Sequence, residues 1–480
     1  MRPDDPLLLS PKLLIIYYPP TIFIKMMKPL IVSIYGLLLF CVAGFAQPQR
    51  HVVLISIDGF RPEMYQDKSW PTPNLQALMK EGVYADHMKS VFPAYTYPSH
   101  VAMVTGALPA RSGICYNQPI GSKGEWNWYN NAIKVPTIWQ ALKKAGLSTA
   151  SVEWPPSVTD EITYDLPEIW DPKSPEDRIT AARRYATPGL VEEIEQNATG
   201  KLDSNTMNEG YFTLDENAGR AAGYIFSKYH PILLAVHFAC ADGMQHEYGR
   251  EGDSVRLAVA SVDRAIGDVL EAIRRTSLRD STTVIIVGDH GFSTMHTVFR
   301  PNILMKGLPV KFIAAGGSAF LYSTGGKALA ESEKQSLLRS VRHRLDSLPA
   351  AERKDFRFVE RGELDKLGAD SGALFALAAI PGLVFSGAVA PAPTVNAGPG
   401  TLIQQNTQFG LFAPVKGGHH GYDPNIPDMY TGFITAGSGI RKGGKIQELC
   451  VTDISPLIAQ LLGIHFPTPD GKLVEGILGE

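Results

Sequence analysis

Three stretches of the chain follow one design, a continuous apolar run that stops on an acid. They are HVVLISIDG (51–59), PILLAVHFACAD (231–242) and TTVIIVGDHG (282–291). Such runs fit strands buried on both faces of a parallel sheet. A fourth, DMYTGFITAG (428–437), follows late in the chain, and STASVEWP (148–155) reads as a further strand. Helical segments alternate with them: 71–82 and 135–146, each closed by a Gly, an amphipathic stretch at 253–275, and a closing helix at 455–463. In SPEDRITAARRYA (174–186), Ser174 reads as the cap, Pro175 as the first helical residue, and Asp177 lies near the positive end. Strand followed by helix, repeated, predicts an α/β fold with a central, mostly parallel sheet and helices on both faces.

Residues 293–418 break the pattern. They have few buried-strand runs and include the Pro/Ala/Gly-rich PGLVFSGAVAPAPTVNAGPG. We read them as a cap subdomain inserted within a catalytic domain spanning 47–480. At the other end, Lys28, an apolar run over 29–42 and GFA before Gln47 read as a signal peptide, 1–46, cleaved after Ala46. The run is short for a spanning helix, which needs about 20 residues, so no stable membrane anchor is expected after cleavage. Translation is expected to start at Met26 or Met27, and the product to be exported to the periplasm or the exterior. Beyond the signal, Cys115, Cys240 and Cys450 make at most one disulfide and no zinc-finger spacing. A formal net charge of −3 gives no electrostatic case for bulk nucleic-acid binding.

Ligands of open α/β sheets sit beyond the carboxyl ends of the strands. Asp58, Asp242 and Asp289 end the three acid-terminated runs. His246 follows Asp242 by four residues, which puts both on one face of a helical turn. His290 adjoins Asp289, and His419 and His420 precede the run at 428. Singly, such residues are more often turn or capping residues. Together they gather carboxylates with only Arg61 nearby in sequence, and buried unpaired like charges are costly. Asp and neutral His are zinc ligands, so the pattern reads as a two-metal centre. Thr96, in FPAYTYPSH (92–100), stands just ahead of Pro98, which marks a helix start. Its hydroxyl reads either as a cap or as a nucleophile whose pKa a metal lowers.

ISIDGFRP, FPAYTYPSHVAMVTGALPARSGI, ADGMQHEYG, VGDHG and GGHHGYDP together resemble the nucleotide pyrophosphatase/phosphodiesterase family of the alkaline phosphatase superfamily, in family order over nearly the whole mature chain. The resemblance implies a two-zinc hydrolase that cleaves phosphodiester or pyrophosphate bonds of nucleotide-type substrates through a phosphothreonine. On it, Thr96 is the nucleophile. Asp58, Asp289 and His290 hold one zinc, with Thr96 as attacking ligand. Asp242, His246 and His420 hold the other; His420 rather than His419 matches the His-Gly-Tyr-Asp pattern. Asn117 falls where the family donates to a phosphate oxygen, the other reading being a turn residue. Tyr97 falls where an aromatic stacks on the base, the other reading being packing against the helix. HFACAD departs from the family's Tyr-x-Glu-Glu-Pro-Asp: His237 replaces Tyr and Ala241 replaces Pro, which alters one wall of the base pocket. SVEWPPSV (151–158) lacks the Lys and Arg pair of the Thr-type monoesterases, which favours a diester. A phosphate monoesterase or phosphonoacetate-type hydrolase could use the same core. A sulfatase would need Cys or Ser first where TYPSH has Thr. A non-catalytic surface binding protein would have lost ligands, and none is missing.

Overall fold

His51–Ile57 (β1) is buried along its whole length. Val53, Ile55 and Ile57 join the hydrophobic cluster on one side of it and Val52 and Leu54 the cluster on the other. Alternate residues of a strand point to opposite faces, so a run apolar at every position needs cover on both. In a computed structural model describing residues 49–208, 210–326, 330–389 and 410–479, that cover is in place. Helices Thr213–Tyr229 and Asp253–Arg275 contribute to the first cluster, and helices Ile138–Lys144 and Ile454–Leu462 to the second. The signal peptide read at 1–46 lies outside the described residues.

The central sheet adds Val83–Lys89 (β2), Thr149–Val152 (β3), Tyr164–Leu166 (β4), Leu233–Phe238 (β5), Thr282–Gly288 (β6), Phe433–Gly437 (β7) and Gly444–Cys450 (β8). Its eight strands run in the order β8-β2-β7-β6-β1-β5-β3-β4. β1 pairs in parallel with both β5 and β6, and Ile57 stands opposite Phe238 on one side and Gly288 on the other. This register brings three strand ends level, so Asp58 and Asp289 leave the sheet side by side.

β7, from the fourth apolar run, is antiparallel to both β6 and β2. That direction has a consequence for the site. A strand entering parallel to β6 would begin at the opposite edge. Running antiparallel, with Phe433 opposite Val287, β7 begins at the edge where β1 and β6 end, and the preceding loop with His419 and His420 is delivered there.

Between β6 and β7 the segment read as poor in strands builds two small sheets. One has four antiparallel strands, ordered Phe356–Val359, Ala376–Ala379, Ser318–Ser323, Val310–Ala315; the other joins Leu383–Phe385, Thr297–Phe299 and Phe412–Pro414. The strands are short, and several are partly exposed, which is why they carry no long apolar run. Ser293–Thr294 pairs with Gly418–His419, His419 standing opposite Ser293. The two ends of the segment are thus tied together beside His290.

Several local expectations move. The helix expected from Ser174 begins at Arg178, with Asp177 as the cap accepting from the Thr180 N–H. The strand expected to run to Asp242 stops at Phe238, and Asp242 lies in the first turn of helix Cys240–Tyr248. Cys115, Cys240 and Cys450 are free thiols. No helix among the described residues is long and apolar enough to cross a membrane.

Candidate active site

Helix Thr96–Thr105 carries Thr96 as its first residue, not as its cap. Tyr95 occupies the capping position in extended conformation, and no side chain caps the helix. Pro98 falls in the first turn, where backbone N–H groups lack intrahelical partners anyway. The Thr96 hydroxyl is left facing the metal-type residues: its Oγ1 is 3.4 Å from His290 Nε2. His290 Nε2 in turn lies 3.2 Å from Asp58 Oδ1 and 3.2 Å from Asp289 Oδ2. Ligands about 2.0–2.1 Å from a tetrahedral zinc sit at about this mutual spacing. Gly59 follows Asp58 at φ 66°, a conformation that favours glycine, and its N–H donates to Asp289 Oδ1 at 3.0 Å. A Cβ there would come within 2.6 Å of Gln245 Nε2.

The second set adjoins the first. His246 Nε2 lies 3.2 Å from Asp242 Oδ2, one helical turn away, and His420 Nε2 lies 3.9 Å from Asp242 Oδ1. Asp58, Asp289 and His290 form one group that could hold a metal ion, and Asp242, His290 and His420 another, each with donor atoms within 4.8 Å of one another. The residues fit cations in two further respects. Asp58 Oδ1, Asp242 Oδ1 and Asp289 Oδ2 are buried without a hydrogen-bond partner among the described residues. Arg61 does not neutralise them, because its guanidinium is taken by Glu63, Glu251 and the Arg250 carbonyl. Each imidazole is also oriented as a ligand. His246, His290 and His420 donate Nδ1–H to the carbonyls of Gly418, Gly291 and Ala94 at 3.0, 3.1 and 2.9 Å, leaving the Nε2 lone pair inward.

The carboxylates register the crowding. Burial, then Asp242, pushes the Asp58 carboxyl up to about 7. Burial and the neighbouring Asp58 push Asp289 well above the usual range. Burial pushes the Asp242 carboxyl up, but His246, with His290 and His419, holds it below the usual range. Burial and three neighbouring imidazoles hold His420 well below its ordinary value.

A cavity of about 530 Å³ lies over this edge. Asp58, Thr96, Asp242, His246 and His420 line it at one end, and Tyr95, Trp126 and Trp170 form walls. Asn117 lines it too, with its Oδ1 accepting the Tyr97 N–H at 3.0 Å, which leaves the amide nitrogen for a ligand. Tyr97 is not on the wall. Its ring is fully buried, edge-on to Trp126 at 5.4 Å, whereas the neighbouring Tyr95 lines the cavity.

Two features escaped the sequence. His237, read as an altered pocket wall, places Nε2 3.3 Å from Asp58 Oδ2 and donates Nδ1–H to the Glu153 carbonyl at 3.2 Å. Asp58 raises it to about 9 against the opposing effect of burial. A polar residue near the end of an otherwise apolar strand beside β1 was the available signal. Arg178, a cation on the cavity wall, pairs with Glu168 at 3.1 Å and lies over the Trp170 ring at 3.9 Å.

Comparison with known proteins gives the family and the fold. The profile of the family described as type I phosphodiesterase / nucleotide pyrophosphatase matches residues 52–423. Ectonucleotide pyrophosphatase/phosphodiesterase family member 7 of Rattus norvegicus is 24% identical over 454 residues, which covers 90% of this chain and 88% of the relative. Bis(5'-adenosyl)-triphosphatase enpp4 of Mus musculus is 25% identical over 435 residues, covering 88% and 79%. Among solved structures, human ectonucleotide pyrophosphatase / phosphodiesterase 5 superposes with a TM-score of 0.63 at 20% identity, covering 88% of this chain and 97% of that one. An inactive threonine-to-alanine variant of the murine protein, in complex with AMP, gives a TM-score of 0.60 at 19% identity, covering 87% and 96%. The class is that of metal-dependent hydrolases built on a mostly parallel α/β sheet. Within it, the chain belongs to the type I phosphodiesterase / nucleotide pyrophosphatase family and is an enzyme.

Proposed function

We propose that this protein is a two-zinc hydrolase that cleaves phosphodiester or pyrophosphate bonds of nucleotide-type substrates through a phosphothreonine on Thr96. The observation that carries the reading is the position of the Thr96 hydroxyl, at a helix N-terminus and 3.4 Å from an imidazole nitrogen that itself faces two buried carboxylates. Asp58, Asp289, His290 and Thr96 would hold one ion; Asp242, His246 and His420 would hold the other. When bound, the ions lower the pKa of the hydroxyl and neutralise charge on the phosphoryl oxygens.

The residues of the chain do the rest. Thr96 Oγ1, its proton lost to water, attacks phosphorus as the P–O bond to the leaving group breaks, and water then attacks the phosphothreonine, releasing the phosphoryl product and the Thr96 hydroxyl. The Asn117 amide, held by the Tyr97 N–H, donates to a non-bridging oxygen. Tyr95, Trp126 and Trp170 offer flat apolar surfaces for the organic part of the substrate. Arg178 pairs with Glu168 and His237 with Asp58, so among the described residues lining the cavity no cation is spare for a second phosphate charge, which supports a diester. The murine neighbour's complex with AMP supports a nucleotide. Ile313 and Ala314 line the cavity from the 293–418 segment, which supports its role as a cap. The relatives named as ectonucleotide enzymes support export of the protein.

The test compares turnover of p-nitrophenyl thymidine monophosphate, p-nitrophenyl phosphate and phosphonoacetate by the purified mature protein. The first should have the highest kcat/KM. Faster turnover of p-nitrophenyl phosphate would make the protein a monoesterase, and faster turnover of phosphonoacetate a phosphonate hydrolase.

A further inference from the structure

His419 stands beside the second ligand set. Its ring lies 4.9 Å from that of His246 and 5.1 Å from that of His420, and the donor atoms of the three fall within 4.8 Å of one another. Proximity alone would make it a metal ligand. The hydrogen bonds say otherwise. A backbone N–H can only donate, and that of His420 donates to His419 Nδ1 at 2.9 Å. Nδ1 therefore presents its lone pair to the peptide, and a neutral imidazole of that tautomer carries its one proton on Nε2. His246, His290 and His420 have the reverse arrangement, with Nδ1–H donated to carbonyls. Their Nε2 atoms accept a cation, whereas that of His419 offers a proton.

The ring is also placed to use it. His419 is half-buried and lines the cavity, and its Nε2 has no hydrogen-bond partner among the described residues. Two features fix its position. The strand pair sets His419 opposite Ser293, and Gly316 lies so close that a Cβ there would come within 2.7 Å of Nδ1. Thr96 Oγ1 lies by His290, in the first set; His419 adjoins His246 and His420, of the second set. In an in-line displacement the leaving oxygen departs opposite the nucleophile.

We propose that His419 is a catalytic hydrogen-bond donor whose Nε2–H contacts the leaving-group oxygen of the substrate, and that it is not a metal ligand. This rests on the reading of Thr96 as nucleophile. As the Thr96 Oγ–P bond forms and the P–O bond to the leaving group breaks, the bonding pair passes to the leaving oxygen. The Nε2–H hydrogen bond holds that oxygen, the proton stays on His419, and the released alkoxide takes its proton from water.

The experiment measures metal content and leaving-group dependence for His419→Ala and His419→Asn, with p-nitrophenyl and methyl esters of thymidine monophosphate as the probes. His419→Ala should keep the wild-type metal content and lose about tenfold or more in kcat/KM on the methyl ester, with a much smaller loss on the p-nitrophenyl ester, whose leaving oxygen needs little help. His419→Asn, which restores an N–H donor, should recover part of the loss. Loss of a metal equivalent in either variant, or equal losses on the two esters, would overturn the proposal. Thr96→Ala serves as the control: turnover surviving in that variant, with metal intact, would indict the nucleophile and not His419.

Discussion

The imidazole rings of His290 and His420 lie face to face, with centroids 3.6 Å apart and planes 5° from parallel. One belongs to the group with Asp58 and Asp289, while the other approaches Asp242. The stack sets how far apart the two groups of donors stand. It also suits neutral rings, since two imidazolium ions at that distance would repel. Each ring is anchored by its own backbone carbonyl, Gly291 for His290 and Ala94 for His420, so neither turns independently of the loop that bears it.

Thr96→Ala should abolish diester hydrolysis, by about a thousandfold or more, while the protein still folds and keeps its metal. Thr96→Ser, which retains a hydroxyl on the same helical residue, should keep measurable activity. Bis-p-nitrophenyl phosphate turnover, read against metal analysis of the same samples, decides the matter. An Ala variant working at the normal rate would remove Thr96 from the chemistry.

His237→Gln should weaken metal binding by about 10–100-fold, as loss of a residue orienting a ligand does. His237 is buried against Asp58 Oδ2 and tied to the Glu153 carbonyl, and Gln cannot reproduce both contacts from the same place. Competition with a chromophoric chelator measures the affinity. An unchanged affinity would make His237 a spectator.

The metal-free protein should lose stability as pH rises from 7 to 9. Among the buried groups that keep their protons to higher pH when folded than their ordinary values allow, Asp58 reaches about 7 against 3.8, Glu153 about 8 against 4.5 and His237 about 9 against 6.5, and Asp289 and Asp165 are raised well above 3.8. A raised folded value contributes stability in full below the unfolded value, and that contribution is lost as pH climbs through the folded one. His100, His419 and His420 are shifted down. Their contribution is present above 6.5 and lost below it, so it adds little slope in this window. The expected slope is about 1.4 kcal/mol per pH unit for each extra proton that the folded state retains. Zinc should raise the unfolding midpoint and flatten the slope, since cations take the place of the protons on Asp58. Thermal unfolding of EDTA-treated and zinc-loaded samples at pH 7, 8 and 9 tests this; a midpoint of the stripped protein that climbs with pH contradicts it.

Asn117→Ala should cost about 10²–10³ in kcat, the usual loss for one donor to a developing oxyanion. Asn117→Asp separates the two jobs of the side chain. It keeps an oxygen for the Tyr97 N–H, now made at 3.0 Å, but replaces the donor with negative charge beside the phosphoryl group. The Asp variant should therefore be at least as impaired as Ala, with the helix start intact by circular dichroism. An active Asp variant would reduce Asn117 to a turn residue.

Local pattern made the acid-terminated strands legible, and with them Asp58 and Asp289, because apolar runs and their ends are encoded within a few residues. Residue type made His246, His290 and His420 legible as candidate ligands. Boundaries were less so. Ser174 loses the cap to Asp177 because capping requires geometry at a helix start that the sequence does not fix. Tyr97 was ambiguous because an aromatic after the first helical residue can face core or cavity. Its neighbour Trp126, brought up from another loop, encloses it in the core.

The sequence by itself determined which apolar runs are buried strands, which acids and imidazoles follow them, and that Arg61 is the basic residue close to the acids along the chain, since all of this follows from hydropathy and spacing. Only the tertiary structure decided that β7 enters antiparallel to β6, that His237 backs Asp58, and that His419 holds its proton on the opposite nitrogen from its neighbours. Those depend on which backbone groups meet across long separations in the chain, and hydrogen-bond direction exists only once they have met.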